Sequence, residues 1–362
     1  MSLDHLSVLL LTKYACSGAS SRYRSFQYIP FLKQAGIDCK ISPLFDDEYL
    51  VNRYRNGSGS KLDIVRALLR RVGALFTVRK YDLVVIEYEL LPYFPALFER
   101  LLSYMGVRYV VDYDDALFHQ YDQHCNPLVR KLLRNKIATV MKHAAVVVAG
   151  NAYLANYAIQ AGVKRVETIP TVIDLDRYPL PTFKSNEEGV FTIGWVGSPS
   201  TAKYLKAIAP ALSAVCGDGK ARLILIGSGS IELPGVEVEV LPWSEKSEVN
   251  LIHTFDIGIM PLPDEMWARG KCGFKLIQYM ACGLPVIASP VGVNNEIVEQ
   301  GGNGLLASTT DEWKQAMMQF MADAELRKKM GAAGRRKVEE QYCLQVTAPK
   351  LVALLSAVTE KG

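Results

Sequence analysis

The chain has 362 residues, of which 49% are hydrophobic and 22% charged, and a formal net charge of +4. This length exceeds what one hydrophobic core usually supports, so we expect two domains. The small net charge argues against nucleic-acid binding as the main function. The seven cysteines are scattered without paired spacing, which favours a reducing compartment over a disulfide framework or a zinc site.

The sequence shows neither a secretory signal nor a membrane-spanning segment. The apolar piece LSVLLL lacks a basic flank and leads into a polar loop, so we interpret it as a strand. No apolar run approaches the ~20 residues that a bilayer-spanning helix needs. We therefore expect a cytoplasmic protein that touches a membrane only peripherally.

Strand-like apolar runs alternate with helical patterns along the whole chain, which is typical of a doubly wound α/β fold. In the first half we predict a helical segment from Ser20 to Gly36 and strands at residues 7–12, 38–44, 82–87, 108–113 and 145–150. The prolines of residues 166–182 predict an interdomain linker. In the second half we predict a mostly helical tail from 309 to 361, after strands at residues 190–197, 221–227, 236–242, 256–262, 284–289 and 303–307.

These two series of strands predict two Rossmann-like domains that face each other across a cleft. We place the first domain at residues 1–175 and the second at residues 176–340. Residues 341–362 are expected to form a C-terminal helix that packs back towards the first domain.

The motif GWVGSPSTAKYL opens the second series and predicts an anion-binding turn. Its strand ends at Val196, and we expect a helix to begin near Ala202. Ligands of open α/β sheets bind at the carboxyl ends of the strands, where helix amino termini offer free N–H groups. Gly197 permits close approach, Ser198 offers a hydroxyl and Lys203 offers an ammonium group to a phosphate. An ordinary capped turn with a surface lysine is the alternative.

A second strand-to-helix junction lies in RGKCGFKLIQYMACGLPVIAS. Its strand is expected to end at Leu262, followed by a loop and by a helix that starts near Lys275. Three cations, Arg269, Lys271 and Lys275, flank Gly273 in the sequence at this junction. Cations at a helix amino terminus oppose the helix dipole unless an anion compensates them. We therefore predict a bound diphosphate whose growing negative charge these cations stabilise as a sugar leaves.

The stretch GKCGFKLIQYMACGLPVIASPVG, followed by NEIVEQGGNGLLA, resembles the donor-binding signature of the retaining glycosyltransferases of family 4, which have the GT-B fold. The resemblance implies transfer of a sugar from a nucleotide-diphosphate-sugar to a saccharide or lipid-linked acceptor, in the biosynthesis of cell-surface polysaccharide or another glycan. It implies an acceptor-binding first domain, a donor-binding second domain, and no cofactor besides the nucleotide sugar. Lys203 and Lys275 are the expected catalytic cations.

The resemblance also assigns residues of the second domain to the donor. Two glutamates of the family correspond here to Gly270 and Gln278, so both carboxylates are absent. Gln278 can still hydrogen-bond a ribose. Trp243 and Ser244 are expected beside the nucleobase, although Trp243 could equally be a core aromatic residue. Phe274 is expected at the donor as part of the GKCGFK loop.

In the first domain the loop CSGASSRYR is expected to contact the donor phosphates or the acceptor. Gly18 lets the backbone approach a ligand. Arg22 and Arg24 supply positive charge to the donor, unless they form a solvated pair on a helix face.

Acidic residues gather at two further strand ends of the first domain. VVDYDDALF brings Asp112, Asp114 and Asp115 together, which costs energy unless they serve a ligand or an ion. We expect Asp114 to be catalytic near the reacting sugar, and Asp112 and Asp115 to bind the acceptor. A metal-binding Asp-x-Asp is the alternative, which we disfavour because the lysines can neutralise the diphosphate. We expect Glu87 and Glu89 either to bind the acceptor or to be solvated acids of a loop.

Residues 61–80 combine six Lys and Arg residues with apolar residues at near-helical spacing. This composition predicts an interfacial basic helix on anionic lipid, with Arg70 and Arg71 among its charges, at the inner face of the membrane. The alternative is an ordinary surface helix that packs its apolar side on the sheet.

Two rival functions fit the same pattern. A nucleotide-sugar epimerase of this fold would act on the donor alone and would need dedicated acid–base residues. A non-catalytic sugar-binding protein would bind tightly without turnover, but such proteins are usually exported. The preference for a transferase rests mainly on the family resemblance.

Overall fold

The chain divides into two compact units, which we describe one at a time. A computed structural model describes residues 5–56, 60–181 and 189–360. The first unit comprises residues 1–171 and 344–362, and the second comprises residues 172–343. The sequence-based bounds lie at residues 175 and 340, a few residues from these. Thr182, the last residue of the segment predicted as a linker, lies outside the described residues.

The first unit is built on a six-stranded parallel sheet with the order β2-β1-β3-β4-β5-β6. The strands are β1 (Leu6–Leu11), β2 (Ile37–Ile41), β3 (Leu83–Glu87), β4 (Tyr109–Tyr113), β5 (Val146–Ala149) and β6 (Val166–Thr168). All five predicted strands of this half are confirmed. The central strands are near-continuous runs of buried apolar residues, since helices cover both faces of a parallel sheet.

The helices of the first unit fill the crossovers between its parallel strands. They are α1 (Ala19–Arg24), α2 (Ile29–Gln34), α3 (Asp47–Asn56), α4 (Lys61–Leu75), α5 (Leu97–Tyr104), α6 (His119–Asp122), α7 (Pro127–Leu133), α8 (Lys136–His143) and α9 (Ala152–Gln160). Short 3₁₀ helices lie at Phe26–Tyr28 and Val78–Lys80.

Helix α4 carries the segment that predicts a lipid-facing basic surface. Leu62, Val65 and Leu69 are exposed on its outer side. Arg71, in contrast, is 1% exposed and donates to the carbonyl of Thr12 at the end of β1. The expectation that Arg71 belongs to the charged outer face is therefore wrong, because its guanidinium is buried against the sheet.

The second unit has a parallel sheet of six strands in the order β12-β11-β10-β7-β8-β9. The strands are β7 (Phe191–Val196), β8 (Ala221–Ile226), β9 (Val238–Leu241), β10 (Ile257–Met260), β11 (Val286–Ala288) and β12 (Gly304–Leu306). All six correspond to predicted strands. The α/β fold class with two doubly wound units is thus confirmed.

Helices and one 3₁₀ segment, Lys203–Ile208, surround this second sheet. The helices are α10 (Pro199–Ala202), α11 (Ala209–Cys216), α12 (Glu248–Ile252), α13 (Met266–Arg269), α14 (Phe274–Ala281), α15 (Asn294–Ile297), α16 (Thr310–Ala322) and α17 (Ala324–Gln341). A further 3₁₀ helix, Leu175–Arg177, lies near the start of the unit. The core contains Ile193 of β7 and Leu223 of β8 together with Leu212 of α11 and Phe320 of α16.

The last helix, α18 (Leu344–Glu360), belongs to the first unit. The hydroxyl groups of Tyr28 and Thr347 lie 2.9 Å apart, and Arg108 donates to the carbonyl of Val358 at 2.9 Å. In the described part of the chain, no helix combines the length and the apolarity that a membrane crossing requires.

Candidate functional site

The turn after β7 lies close to the side chain of Lys275. A Cβ atom placed on Gly197 would lie 2.7 Å from Cε of Lys275 and 2.6 Å from the ring of Trp195. Such contacts are too short for any residue but glycine, so the backbone is bare where Lys275 passes it. The Lys275 ammonium group lies 5.3 Å from the centroid of the Trp195 ring. The lysine stem therefore packs on the turn and carries a positive charge to the carboxyl end of β7.

The residues after Gly197 form a tighter turn than the sequence predicts. Helix α10 begins at Pro199 and not near Ala202, because proline suits the first helical position. Ser198 is extended, and its hydroxyl lies 2.9 Å from that of Ser200. The amino terminus of this short helix thus follows directly on the glycine.

Helix α14 begins at a glycine that the local packing requires. Gly273 has a φ of 66°, and a Cβ atom there would lie 2.3 Å from Cδ1 of Ile297. Phe274 is the first helical residue and Lys275 the second. The left-handed glycine thus sets where the helix starts and which turn of it carries Lys275.

The carboxyl ends of β8 and β9 meet the same turn. Gly227, directly after β8, has a φ of 75°, and a Cβ atom on it would lie 2.8 Å from the carbonyl oxygen of Gly197 and 2.9 Å from Cβ of Trp243. The Gly197 turn, Gly227 and Trp243 therefore adjoin one another at one edge of the sheet. This edge is where open α/β sheets bind their ligands.

Trp243 and Gln278 are joined through two residues that sequence reasoning missed. The Trp243 indole N–H donates to Oε2 of Glu248. The Tyr178 hydroxyl donates to Oε1 of Glu248 at 2.6 Å and accepts from Nε2 of Gln278 at 3.0 Å. Trp243 is 36% exposed, so it is not the core residue of the alternative interpretation. The acidic stretch SEKSE was the one sequence signal for Glu248.

Other predicted donor residues have local partners. Arg269 forms a two-pronged ion pair with Asp264, at 2.7 and 3.0 Å, on the short helix α13 within the predicted loop. Lys203 is exposed, with its ammonium group 5.4 Å from the Tyr204 ring centroid. The ammonium group of Lys271 lies 5.7 Å from the ring centroid of Trp267 in the same segment. Lys275 is thus the predicted cation whose contact with the Gly197 turn the structure records.

Ser244 lies in a local turn next to Trp243. Its hydroxyl lies 2.6 Å from that of Ser247, and its carbonyl accepts from the backbone N–H of Ser247 and Glu248. The turn thus leads from Trp243 into helix α12 and brings Glu248 back to the indole.

In the first unit, Glu87 at the end of β3 holds the predicted ligand loop to the sheet. Its Oε2 accepts from the Lys13 amide at 3.0 Å and from the Ser21 hydroxyl at 2.6 Å, and its Oε1 accepts from the Ser20 hydroxyl at 2.9 Å. Glu87 is 3% exposed, which excludes the solvated-acid alternative. Burial raises the pKa of Glu87 to about 7, against the opposing effect of the Ser21 hydrogen bond.

Asp114 shares this hydroxyl cluster with Glu87. Its Oδ1 lies 3.1 Å from the Ser20 hydroxyl oxygen and accepts from the Tyr88 hydroxyl. Tyr88 has a φ of 64°, a strained conformation for a non-glycine residue. Burial, followed by repulsion from Asp115, raises the pKa of Asp114 to about 6. The cluster therefore contains two carboxyl groups that titrate close to neutrality.

Arg24 and Asp112 bind each other inside the first unit. Two guanidinium N–H groups of Arg24 donate to the two Asp112 oxygens at 2.8 and 2.5 Å, and a third donates to the carbonyl of Ile169 at 2.7 Å. Both side chains are buried, so the alternative of a solvated arginine pair is wrong for Arg24. Among the described residues no group of three or more His, Cys, Asp or Glu side chains is placed to hold a metal ion.

Arg22 and Gly18 are also packed into the first unit. Arg22 is buried and donates to the carbonyl of Cys16 at 3.4 Å, so it is not solvated either. A Cβ atom on Gly18 would lie 2.3 Å from Cβ of Tyr14. Gly18 is thus required by the packing of its own loop.

Glu89 is not a solvated acid. It is buried, pairs with the Lys136 ammonium group and accepts from the Tyr121 hydroxyl at 2.8 Å. This ion pair gives Glu89 a role inside the first unit.

Comparison with known proteins identifies the family of the second unit. A family model described as glycosyl transferases group 1 matches residues 190–323. Residues 190–323 form a group 1 glycosyltransferase domain. The match confirms the resemblance that the motifs predict, and it contains Gly197, Trp243, Glu248, Lys275 and Gln278.

A curated relative is similar to part of the chain. N-acetyl-alpha-D-glucosaminyl L-malate synthase of Bacillus anthracis is 26% identical over 151 residues, which are 39% of this chain. The alignment spans only 38% of the length of that relative.

Solved structures resemble the chain over nearly its whole length. Sucrose-phosphate synthase from Thermosynechococcus elongatus has a TM-score of 0.72 at 15% identity, covering 99% of this chain and 100% of that one. HepE of Anabaena, solved in complex with UDP-glucose, has a TM-score of 0.68 at 16% identity, covering 98% and 100%. At this level of identity the likeness shows the fold, and it confirms the predicted GT-B fold around the group 1 glycosyltransferase domain.

Proposed function

We propose that the chain is a glycosyltransferase that moves a sugar from a nucleotide-diphosphate-sugar to a saccharide or lipid-linked acceptor, in the biosynthesis of a cell-surface polysaccharide or another glycan. The observation that carries this proposal is the contact of Lys275 with the bare Gly197 turn, inside the family-matched segment. A glycine turn, a helix amino terminus and an ammonium group together suit an esterified diphosphate.

The donor that we propose first is a UDP-sugar. The similar protein HepE was solved with UDP and with UDP-glucose. In this chain the diphosphate is proposed to lie at Lys275 and the Gly197 turn, with the nucleobase near Trp243 and the ribose near Gln278. Lys203, Lys271 and the other residues of the RGKCGFK segment are proposed to line the same ligand.

The proposed reaction follows from this placement. The bond between the anomeric carbon and the diphosphate oxygen breaks, and a new bond forms to the acceptor oxygen on the same face. The leaving phosphate takes the proton of the acceptor hydroxyl. Lys275 stabilises the negative charge that grows on this phosphate. Retention is proposed from the family resemblance, and lysine charges, without a metal ion, are proposed to neutralise the diphosphate.

The acceptor is proposed to bind the first unit. Asp114, next to the strained Tyr88, is the proposed catalytic carboxyl near the reacting sugar, and Asp115 is proposed to contact the acceptor. Glu87, Arg24 and Asp112 were expected to bind ligands directly. We propose instead that they support the acceptor site indirectly, because their contacts hold the loop and the strand ends in place.

We also propose a cytoplasmic protein that binds the inner face of the membrane through α4. Leu69 of α4 and Phe76, which directly follows this helix, are 66% and 85% exposed, and Leu62 and Val65 of α4 are exposed as well. Arg66 is exposed beside them. An apolar stripe flanked by cations suits a bilayer with anionic headgroups. A lipid-linked acceptor would be within reach of such a surface.

The donor is identified by heating the protein with a panel of UDP-, GDP-, ADP- and dTDP-sugars. A ligand that binds the native state raises the unfolding temperature, and we expect one UDP-sugar to do so. Product analysis with that donor alone then separates the rival functions. Unchanged or slowly hydrolysed donor supports a transferase, an epimerised donor supports the epimerase, and tight binding without turnover on any acceptor supports a binding protein.

A further inference from the structure

We infer that Glu248 is a positioning residue that orients both Trp243 and Gln278 towards the nucleoside of the donor. The inference rests on the proposed function, because it assumes that this edge of the second unit binds a nucleotide. Glu248 has no role in the motifs that carry the family resemblance.

The carboxylate of Glu248 joins two residues from distant parts of the second unit. Its Oε2 accepts from the indole of Trp243, five residues earlier, and its Oε1 accepts from the Tyr178 hydroxyl at 2.6 Å. Glu248 is 4% exposed. Burying a carboxylate costs free energy unless hydrogen bonds compensate it. The hydrogen bonds from the Trp243 indole and the Tyr178 hydroxyl are therefore expected to be strong.

The direction of the hydrogen bonds fixes the amide of Gln278. The Tyr178 hydroxyl has one proton, which it donates to the Glu248 carboxylate. The tyrosine oxygen can then only accept, and it accepts from Nε2 of Gln278 at 3.0 Å. One of the two N–H groups of the Gln278 amide is therefore committed to the protein, which sets the end of the amide that faces Tyr178. The amide oxygen remains able to accept a hydroxyl proton from a ribose.

The surrounding structure holds this relay rigid. Arg335 of α17 donates to the carbonyl of Tyr178 at 2.6 Å and to that of Ala281 at the end of α14. Arg177 pairs with Glu245 at 2.8 Å, next to the segment that carries Trp243. Tyr178 is thus tied to α14, the helix that carries Gln278, and the adjacent Arg177 is tied to the loop that carries Trp243. These contacts favour a preset orientation of the Gln278 and Trp243 side chains.

The position of Trp243 connects the relay with the ligand edge of the sheet. Its Cβ atom adjoins Gly227, which adjoins the Gly197 turn. The indole is 36% exposed although its N–H is bound to a buried carboxylate. Glu248 therefore fixes an aromatic ring at the surface, where a nucleobase could stack on it.

The test measures the affinity of purified full-length variants for three probes: UDP, UDP lacking both ribose hydroxyls, and pyrophosphate. In Glu248→Gln we expect the dissociation constant of UDP to rise roughly tenfold, since a charge-assisted hydrogen bond is lost on each branch. The affinity for pyrophosphate should not change, because Lys275 and the Gly197 turn are intact. Glu239→Gln, at an exposed glutamate of the neighbouring strand β9, is the matched control and should bind all three probes as the wild type does.

Two further variants separate the branches. Tyr178→Phe removes the link to Gln278 and keeps the contact of Glu248 with Trp243, so it should weaken UDP but not UDP without ribose hydroxyls. Trp243→Phe should weaken both nucleotides alike and leave pyrophosphate unchanged. Tyr178→Phe and Trp243→Phe also test the inference if Glu248→Gln does not fold.

Three results would overturn the inference. Unchanged UDP affinity in folded Glu248→Gln and in Tyr178→Phe would show that the relay does not serve the nucleoside. Equal losses of UDP and pyrophosphate would show a general structural role. A wild-type protein that binds none of the three probes would defeat the proposed function and the inference together, which distinguishes that failure from the first two.

Discussion

Lys275 is the residue on which the proposed diphosphate site depends. Its stem packs on Gly197 and Trp195, so its charge is held at the carboxyl end of β7. We expect Lys275→Ala to lower turnover by roughly 100-fold and to weaken UDP binding less, because the charge matters most as the phosphate departs. Steady-state kinetics with the selected donor and calorimetric titration of UDP measure the two effects. Lys206→Ala, an exposed lysine on the 3₁₀ segment Lys203–Ile208, is the control.

A Lys275→Ala enzyme with wild-type turnover would remove this lysine from the mechanism. Equal losses in turnover and in UDP affinity would instead assign it to ground-state binding alone.

The buried carboxyl of Glu87 should make the stability of the protein fall as the pH rises. Burial raises its pKa from 4.5 to about 7, so between these values the folded state keeps a proton that the unfolded chain has released. The stabilisation is complete below the pKa of the unfolded chain and is lost as the pH rises through about 7. Glu87→Gln should therefore remove about 3 kcal/mol of pH dependence.

Urea unfolding of wild type and Glu87→Gln at pH 5 and pH 8 measures this effect. The wild type should lose stability relative to the variant at the higher pH. A difference in free energy of unfolding that is the same at both pH values would show that Glu87 does not titrate in this range.

At the residue scale, the sequence reveals candidate groups but not their partners. Arg24 and Asp112 were both expected to bind ligands, yet they lie 88 residues apart in the sequence and pair with each other. Glu248 was missed for the same reason, since its partner Tyr178 lies far away along the chain. Spacing along the chain shows which charges are near in sequence, and only the fold shows which ones meet.

At the scale of elements, strands were predicted well because their signal is strong. Buried parallel strands are continuous apolar runs, and eleven of them were found within a few residues. Strand β6 was missed, because it has only three residues and lies in a segment with several prolines. Helix α13 was missed inside a predicted loop, since a four-residue helix has no recognisable period.

Helix α4 should bring the protein to membranes that contain anionic lipid. The double change Leu69→Glu and Phe76→Glu replaces two exposed apolar side chains by carboxylates, which do not insert into the bilayer and which anionic headgroups repel. We expect sedimentation with phosphatidylglycerol vesicles to fall by roughly tenfold or more. Met318→Glu, an exposed apolar residue of α16 in the second unit, is the control.

The same vesicles decide whether lipid is the partner of α4. If the double variant sediments as the wild type does, or if the wild type does not sediment at all, the membrane proposal is wrong. Because Arg71 is buried, charge reversal should be confined to Arg66 and Arg70 in any companion experiment.

At the scale of the whole molecule, the sequence predicted the family and the fold but not the substrates. The order of the motifs predicts a donor side in the second unit, and the family match lies within that unit alone, at residues 190–323. The acceptor is proposed to bind the first unit, where Asp114 and its neighbours have no matching motif. Gly270 and Gln278 also replace the carboxylates from which the sugar would be inferred. The identity of sugar and acceptor depends on such local contacts.

The most direct test of the account is a crystal structure of the protein soaked with UDP. We predict diphosphate oxygens within hydrogen-bond distance of the Lys275 ammonium group and of the backbone N–H groups that follow Gly197, with the uracil ring near Trp243. A nucleotide bound at another edge of the second unit, with Lys275 and the Gly197 turn unliganded, would contradict the account.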